Sequence, residues 1–359
     1  MKPNNRLLSL DVLRGLTVAG MVLVNNGAGH EHFQPLTHCQ WNGMTPCDLV
    51  FPFFLFMVGV SIPMSSKSDL GKVLWRSIKM FAIGVLLHVW DMWLGGHEDI
   101  LANLRIWGVL ERISLCYLAA SVFHHYARKE GWSAKVLWGT VVSLLAVYTV
   151  ILLLGNGYAQ DDTNLACIID RALFGEAHLY QKNAIDPEGL LGTLPSIAHT
   201  LIGIHVGLCL KRKGDTAPSL SDKLVSLFFM AGCISILGYL LSYGLPLNKR
   251  IWSPSYVLVT CGMATTLLCI FTVLIDQQKR QGWCRPLQWF GTNAIALYVA
   301  SEMLAPVMWE TGIAGTIYEG LLSAGCCAKV ASLGYALSFD ALMALLAWVL
   351  FKRKIFIKL

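Results

Sequence analysis

Residues 35–62 read PLTHCQWNGMTPCDLVFPFFLFMVGVSI: a polar, aromatic loop with one histidine, His38, runs directly into an apolar segment. After Asp48 that segment carries no charged residue up to Ile62. Apolar stretches of about 20 residues recur along the chain, each long enough to cross about 30 Å of hydrocarbon. Composition agrees. Of 359 residues, 55% are hydrophobic and 14% charged, with a mean hydropathy of +0.56. Soluble domains carry roughly a quarter charged residues, so a soluble globular protein is excluded.

The expected fold is therefore all-α, a polytopic membrane helical bundle of about ten transmembrane helices. Hydropathy places the spans near 10–28, 47–65, 73–94, 106–126, 135–155, 190–210, 221–243, 255–275, 287–308 and 328–351. The first span follows Lys2 and Arg6 and shows no small-residue cleavage site, so it reads as a retained span. Basic residues alternate between the connections. One set holds Lys2, Arg6, Lys67, Lys72, Arg128, Lys129, Lys211, Arg212, Lys213, Lys279, Arg280, Arg285, Lys352, Arg353 and Lys354. The other holds only Arg105, Arg171, Lys182, Lys249, Arg250 and Lys329. The positive-inside rule then puts both termini in the cytoplasm and turns the His38 loop outward, with 95–105, 156–189, 244–254 and 309–327. The 156–189 segment is too long for a simple helical connection and is expected to fold over the bundle. Residues 1–359 read as a single membrane domain.

Ionisable groups near or inside spans are costly, and each needs a partner or a task. Asp11 and Arg14 share a helix face, either as a packing ion pair or with the arginine facing an anionic ligand. Asp48 opens the second span, where an acid suits the helix dipole, and its place after WNG also suits it to hold a hydroxyl or ammonium group. Asp91 stands three residues after His88 and could orient that imidazole. Glu111, Arg112, Glu302 and Asp340 are expected to pair within the bundle. His199 and His205 do not share a helical face, and His30, His32 and His38 match no zinc spacing, so no metal is expected. The eleven cysteines sit mostly in apolar runs and read as small hydrophobes. Cys39 and Cys47 share one loop and could pair in an oxidising compartment.

Six blocks then carry a resemblance: RLLSLDVLRGLTVAGMVLVNN, HCQWNGMTPCDLVFPFFLFMVGVSI, LRIWGVLERISLCYLAA, DPEGLLGTLPSIAHTLIGIHVG, LPLNKRIWSPSYVLVTCGMA and WFGTNAIALYVASEML. In that order they resemble the heparan-α-glucosaminide N-acetyltransferase family of transmembrane acetyltransferases, over nearly the whole chain. The resemblance implies acetyl transfer across a membrane, from acetyl-CoA on the cytoplasmic face to the amine of a glucosamine-type sugar on the other side. It marks His38 as the active histidine and Asn25 as its partner, although the interval between them leaves Asn26 open for that role. It also suggests a homodimer, and a multi-pass location in a bacterial inner membrane is expected.

An ammonium group is not a nucleophile, so N-acetylation needs a base, and histidine suits neutral pH. Asn25 or Asn42 would stabilise the charge that develops on the thioester oxygen. Asp48 would orient His38 or hold the sugar, and Trp41, Asn42, Arg105 and Glu188 are the expected acceptor-side residues, with Asn248 beside them. Arg14 and Arg76 are expected at the CoA end with Lys79, Lys211 and Arg285. Ser61 and Asn293 are expected along a tunnel for the pantetheine arm. CoA, an amino sugar and membrane lipid are the expected partners, with no nucleic acid. Two rival readings stand beside this one, a sugar or small-molecule transporter and a glycan O-acyltransferase.

Overall fold

The computed structural model describes residues 7–65, 69–180, 185–212 and 217–357. Lys2, Arg6, Lys67, Lys182 and Lys213 lie outside the described residues. Within these, the chain is helical and no strand occurs. In order the helices are α1 (Leu8–Asn25), α2 (Val50–Met64, entered through a 3₁₀ turn at Pro46–Leu49), α3 (Leu70–Leu94), α4 (Ile100–Asn103) and α5 (Val109–Lys129). They continue with α6 (Ala134–Leu154), α7 (Leu165–Phe174), α8 (Thr193–Lys211), α9 (Leu220–Leu241) and α10 (Pro254–Phe271). The last four are α11 (Arg285–Thr292), α12 (Ala294–Glu310), α13 (Ile313–Ser323) and α14 (Ala328–Lys352).

Eight of these helical segments are long and apolar enough to cross a membrane. The two other expected spans are also helical, but each departs from a uniform apolar rod. Helix α5 carries Glu111 and Arg112, both buried, and Arg128 and Lys129 in its last turn. The segment near 287–308 is broken at Asn293 into α11 and α12. Hydropathy saw the apolar content and not the break. The molecule is a polytopic helical membrane bundle.

Helices α1, α2, α8 and α10 form the centre, and α3, α6, α9 and α14 stand around it. The outer helices turn Leu86, Leu154, Val225 and Phe229 outward, as lipid-facing surfaces require. Small residues let the central helices touch through their backbones. A Cβ on Gly59 of α2 would stand 2.1 Å from the Thr200 carbonyl oxygen of α8, and one on Gly203 of α8 would stand 2.4 Å from that of Phe56. Gly15 and Gly291 do the same for α1 and α11, each facing a backbone oxygen 1.7 Å from where a Cβ would sit. The start of α1 is closed by a different device. A π-helical turn at Thr272–Gln277 presents Asp276, whose carboxylate accepts from the amides of Leu8 and Ser9 at 3.0 and 3.1 Å. A carboxylate there satisfies two of the amides that a helix start leaves open.

Candidate active site

The sequence places Pro46 and Thr45 where a helix must begin, and Asp48 three residues after Thr45 makes the capping box that begins it. Asp48 is fully buried. Its Oδ2 accepts from the amides of Cys39 and Thr45 and from the Thr45 hydroxyl, each at 3.0 Å. Its Oδ1 is left for the imidazole, and His38 Nδ1 donates to it at 2.8 Å. A carboxylate accepts only, so Nδ1 carries the proton and Nε2 keeps a lone pair. The His38 side chain is half exposed, at 51%. This is the geometry of an oriented base open to a ligand.

Two further groups stand against the same ring. Lys249 Nζ lies 3.0 Å from Nδ1 and 3.5 Å from Asp48 Oδ1. Cys47 Sγ lies 3.1 Å from Nδ1. Neither was picked out from sequence as part of the site; Lys249 counted only as one of few outer-loop charges, although it sits in the NKRIWS block. Cys39 turns away from His38 and bonds the Asn42 carbonyl, and both Cys39 and Cys47 are free thiols.

The other residues expected on the acceptor side are each engaged by the protein itself. Trp41 Nε1 donates to the Tyr158 carbonyl at 2.9 Å, and Asn248 Nδ2 donates to Asn42 Oδ1 at 3.2 Å. Together they tie the His38 loop to the α6–α7 connection and to the turn before α10. Arg105 and Glu188 meet each other, with Arg105 Nη2 2.6 Å from Glu188 Oε2 and 2.7 Å from Asp186 Oδ1. Burial disfavours the Glu188 carboxylate, but the Arg105 and Arg112 charges more than offset this and hold its pKa below the ordinary range. Burial works against the Arg105 cation in the same way, and Glu188 and Asp186 more than restore it. This pair ties the α4–α5 connection to the α7–α8 connection. Asp170, on α7, accepts from the Leu190 amide at 3.1 Å, and burial pushes its pKa up to about 6.

Asn25 stands apart from His38. It donates to Glu302 Oε1 of α12 at 3.3 Å, and no hydrogen bond joins it to His38 among the described residues. Asn26 is buried and turned back onto the Val22 carbonyl. His88 meets Glu111 at 4.0 Å, where Asp91 was the expected partner. Arg112 donates to the Gly189 carbonyl at 3.0 Å and lies over the Trp252 ring. His32 pairs with Ser332, and no cluster of three His, Cys, Asp or Glu able to hold a metal occurs among the described residues.

At the opposite end of the bundle a cavity of about 510 Å³ brings Arg14, Ser61, Arg76 and Asn293 together. Arg14 Nη2 donates to Ser61 Oγ at 2.7 Å, and Nη1 meets Asp11 Oδ1 at 3.2 Å and the Gly291 carbonyl at 3.4 Å. The close contact of Gly15 with α11 sets that reach. Arg76 lies over the Tyr117 ring. His124 and Arg128 from the end of α5 add to the polar wall, and Phe54, Val58, Met80 and Ile113 supply the apolar part. Asn293 lines the cavity with its amide engaged: it donates to the Ile355 carbonyl and accepts from the Ile357 amide, both at 2.9 Å. The chain after α14 thus returns to the cavity, where Phe356 and Ile357 complete the wall. A volume in the range of small-molecule sites, with clustered guanidinium groups and an apolar interior, suits a ligand with phosphates and a long neutral arm.

A family model described as heparan-alpha-glucosaminide N-acetyltransferase, catalytic, matches residues 6–243. The chain is 29% identical over 416 aligned residues to the heparan-alpha-glucosaminide N-acetyltransferase of Mus musculus, covering 99% of the chain and 61% of that protein. It is 28% identical over 415 residues to the protein of the same name from Homo sapiens, covering 99% and 60%. The chain therefore spans about three-fifths of the length of these curated relatives.

Proposed function

Because the chain belongs to the heparan-alpha-glucosaminide N-acetyltransferase family, we propose that it is a transmembrane acetyltransferase acting on an amino sugar. The donor is acetyl-CoA, held in the cavity of Arg14, Ser61, Arg76 and Asn293. The acceptor is the amine of a glucosamine-type sugar, presented to His38. One observation carries this reading: α2 and its entry turn connect the two places, with Asp48 at one end and Ser61 at the other. At roughly 1.5 Å per residue the intervening helix spans about 20 Å. The polar ends thus stand apart by about two-thirds of a hydrocarbon core, which supports transfer between opposite faces.

His38 Nε2 takes the proton from the sugar ammonium, since only the free amine has a lone pair for attack. Asp48 fixes the ring and stabilises the imidazolium that forms. Arg14 and Arg76 hold phosphates, while Phe54 and Val58 line the path of the neutral arm. When bound, the donor supplies the acetyl thioester. The alternation of basic residues supports a cytoplasmic cavity and an outward His38. The proposal includes a bacterial inner membrane and a homodimer.

The test is acetyl-CoA consumption by the purified protein against a panel of amino sugars, with the linkage in the product identified. We expect thiol release that depends on the sugar, an N-acetyl product, and loss of about 10²–10⁴-fold in His38→Ala. Retained activity in that variant would overturn the assignment of the base. Initial-rate patterns that intersect are expected for a complex holding both substrates; parallel lines with trapped acetyl-His38 would replace it with a covalent route. A second reading has its own observation: α11 and α12 are discontinuous at Asn293, a feature of transporters. Sugar uptake into vesicles without acetylation would favour it.

A further inference from the structure

Lys249 reaches the outer site from a turn closed by several hydrogen bonds. The Asn248 amide donates to Ser253 Oγ at 3.0 Å, the Ser253 amide to the Asn248 carbonyl at 2.9 Å and the Trp252 amide to the Lys249 carbonyl at 3.1 Å. Asn248 ties the same turn to Asn42 in the His38 loop. The Lys249 side chain is only 16% exposed and ends 3.5 Å from Asp48 Oδ1 and 3.0 Å from His38 Nδ1. At 3.5 Å from Nε2 as well, the ammonium lies beside the ring and not on one lone pair. Nδ1 has its proton committed to Asp48, so it offers Lys249 no acceptor. The contact that rewards this placement is with the carboxylate.

Asp48 needs such a partner. Three neutral donors occupy Oδ2, but hydrogen bonds from neutral groups leave a buried negative charge uncompensated. The titratable or charged groups against the His38 ring are Asp48 and Cys47 from the entry to α2 and Lys249 from the turn before α10. Among the described residues, no other element brings one into contact. Without Lys249, the nearest group able to supply a positive charge is His38 itself. A histidine that is already protonated to balance Asp48 cannot accept the proton of an incoming amine.

We propose that Lys249 is a positioning residue of the outer site, the resident counter-ion of Asp48, which leaves His38 neutral with Nε2 open for the acceptor's proton. The inference rests on reading His38 as the base, yet its direct test needs no turnover. Diethyl pyrocarbonate acylates only the neutral imidazole. Its rate at His38, followed by peptide mass spectrometry from about pH 5 to about pH 8, reports when the ring loses its proton. Exposed His97 serves as internal reference for an intact fold.

In Lys249→Gln the midpoint at His38 should move up by about one pH unit, the effect of removing a unit charge about 3 Å away in a water-accessible setting. Lys249→Arg should keep the wild-type midpoint. Lys249→Met, an apolar residue of similar length, gives the same upward shift and stands in if the glutamine variant misfolds. Coincident midpoints in wild type and the neutral variants would overturn the proposal. In acetyl transfer, the acidic limb of the rate profile should shift the same way, while KM for acetyl-CoA stays unchanged. If the wild-type protein transfers no acetyl group, the proposed function fails, and the His38 titration still decides the role of Lys249.

Discussion

At Asp48 one carboxylate both closes a helix start and holds an imidazole, and the two tasks use different oxygens. Asp48→Asn keeps the shape but turns an NH₂ either toward three donors or toward His38 Nδ1–H. We expect acetyl transfer to fall about 10²-fold and the melting temperature to drop, measured on the same preparation in lipid nanodiscs. Asp170 gives a pH dependence of opposite origin to a salt-bridged acid. Its pKa is raised by burial to about 6, so the fold prefers the protonated form. That preference is complete below about pH 4, where the side chain is protonated in folded and unfolded chain alike. It is lost as pH rises through about 6. The α7 region should therefore resist proteolysis better at pH 5 than at pH 7.5, by about 1–2 kcal/mol. Asp170→Asn should flatten that difference, and an unchanged pH profile in the variant would refute it. Of these residues, His38 and Asp48 were legible in the sequence because they flank a recognisable block on one side of one helix start. Lys249 was not: it lies more than 200 residues away along the chain, and only folding makes it a neighbour.

The helices show which physical signals hydropathy carries. Apolar content located every long helix, since a lipid-facing or buried turn must be apolar whatever its partners. It did not register Asn293, because one polar residue barely changes an average over twenty, yet it ends α11 and begins α12. It also gave no warning of α13, an 11-residue helix within what reads as an outer loop. Glycine spacing holds more. The α2–α8 contact requires Gly59 and Gly203, so Gly59→Val should cost 3 kcal/mol or about that, and abolish a folded, monodisperse species in size-exclusion chromatography. Gly232→Ala on α9, where a Cβ would meet nothing within 4 Å, should cost nothing and add up to about 1 kcal/mol of stability through helix propensity. Equal effects at the two glycines would show that the close approach is not what holds these helices.

Across the whole molecule, the four residues expected to meet CoA line one cavity, and Trp41 and Asn42, expected on the acceptor side, sit in the His38 loop at the other end, while Arg105 is held by Glu188 and Asp186. Arg76→Ala should raise KM for acetyl-CoA about tenfold with little change in KM for the sugar, as loss of one guanidinium–phosphate contact predicts. Phe356 and Ile357 belong to that cavity too, but no motif announced them, because backbone atoms bonded to Asn293 bring them there. The helix that joins the two ends has a further consequence. Since α2 is pressed against α8 backbone to backbone, it cannot slide along or tilt against that helix without parting the two. With donor and acceptor placed as proposed, the pair acts as a fixed ruler whose length the donor must match. Acetyl thioesters cut back along the pantetheine arm should then turn over poorly even at saturating concentration, a loss in kcat that extra donor does not recover. A rocking carrier would tolerate short cargo; a ruler measures it and rejects it.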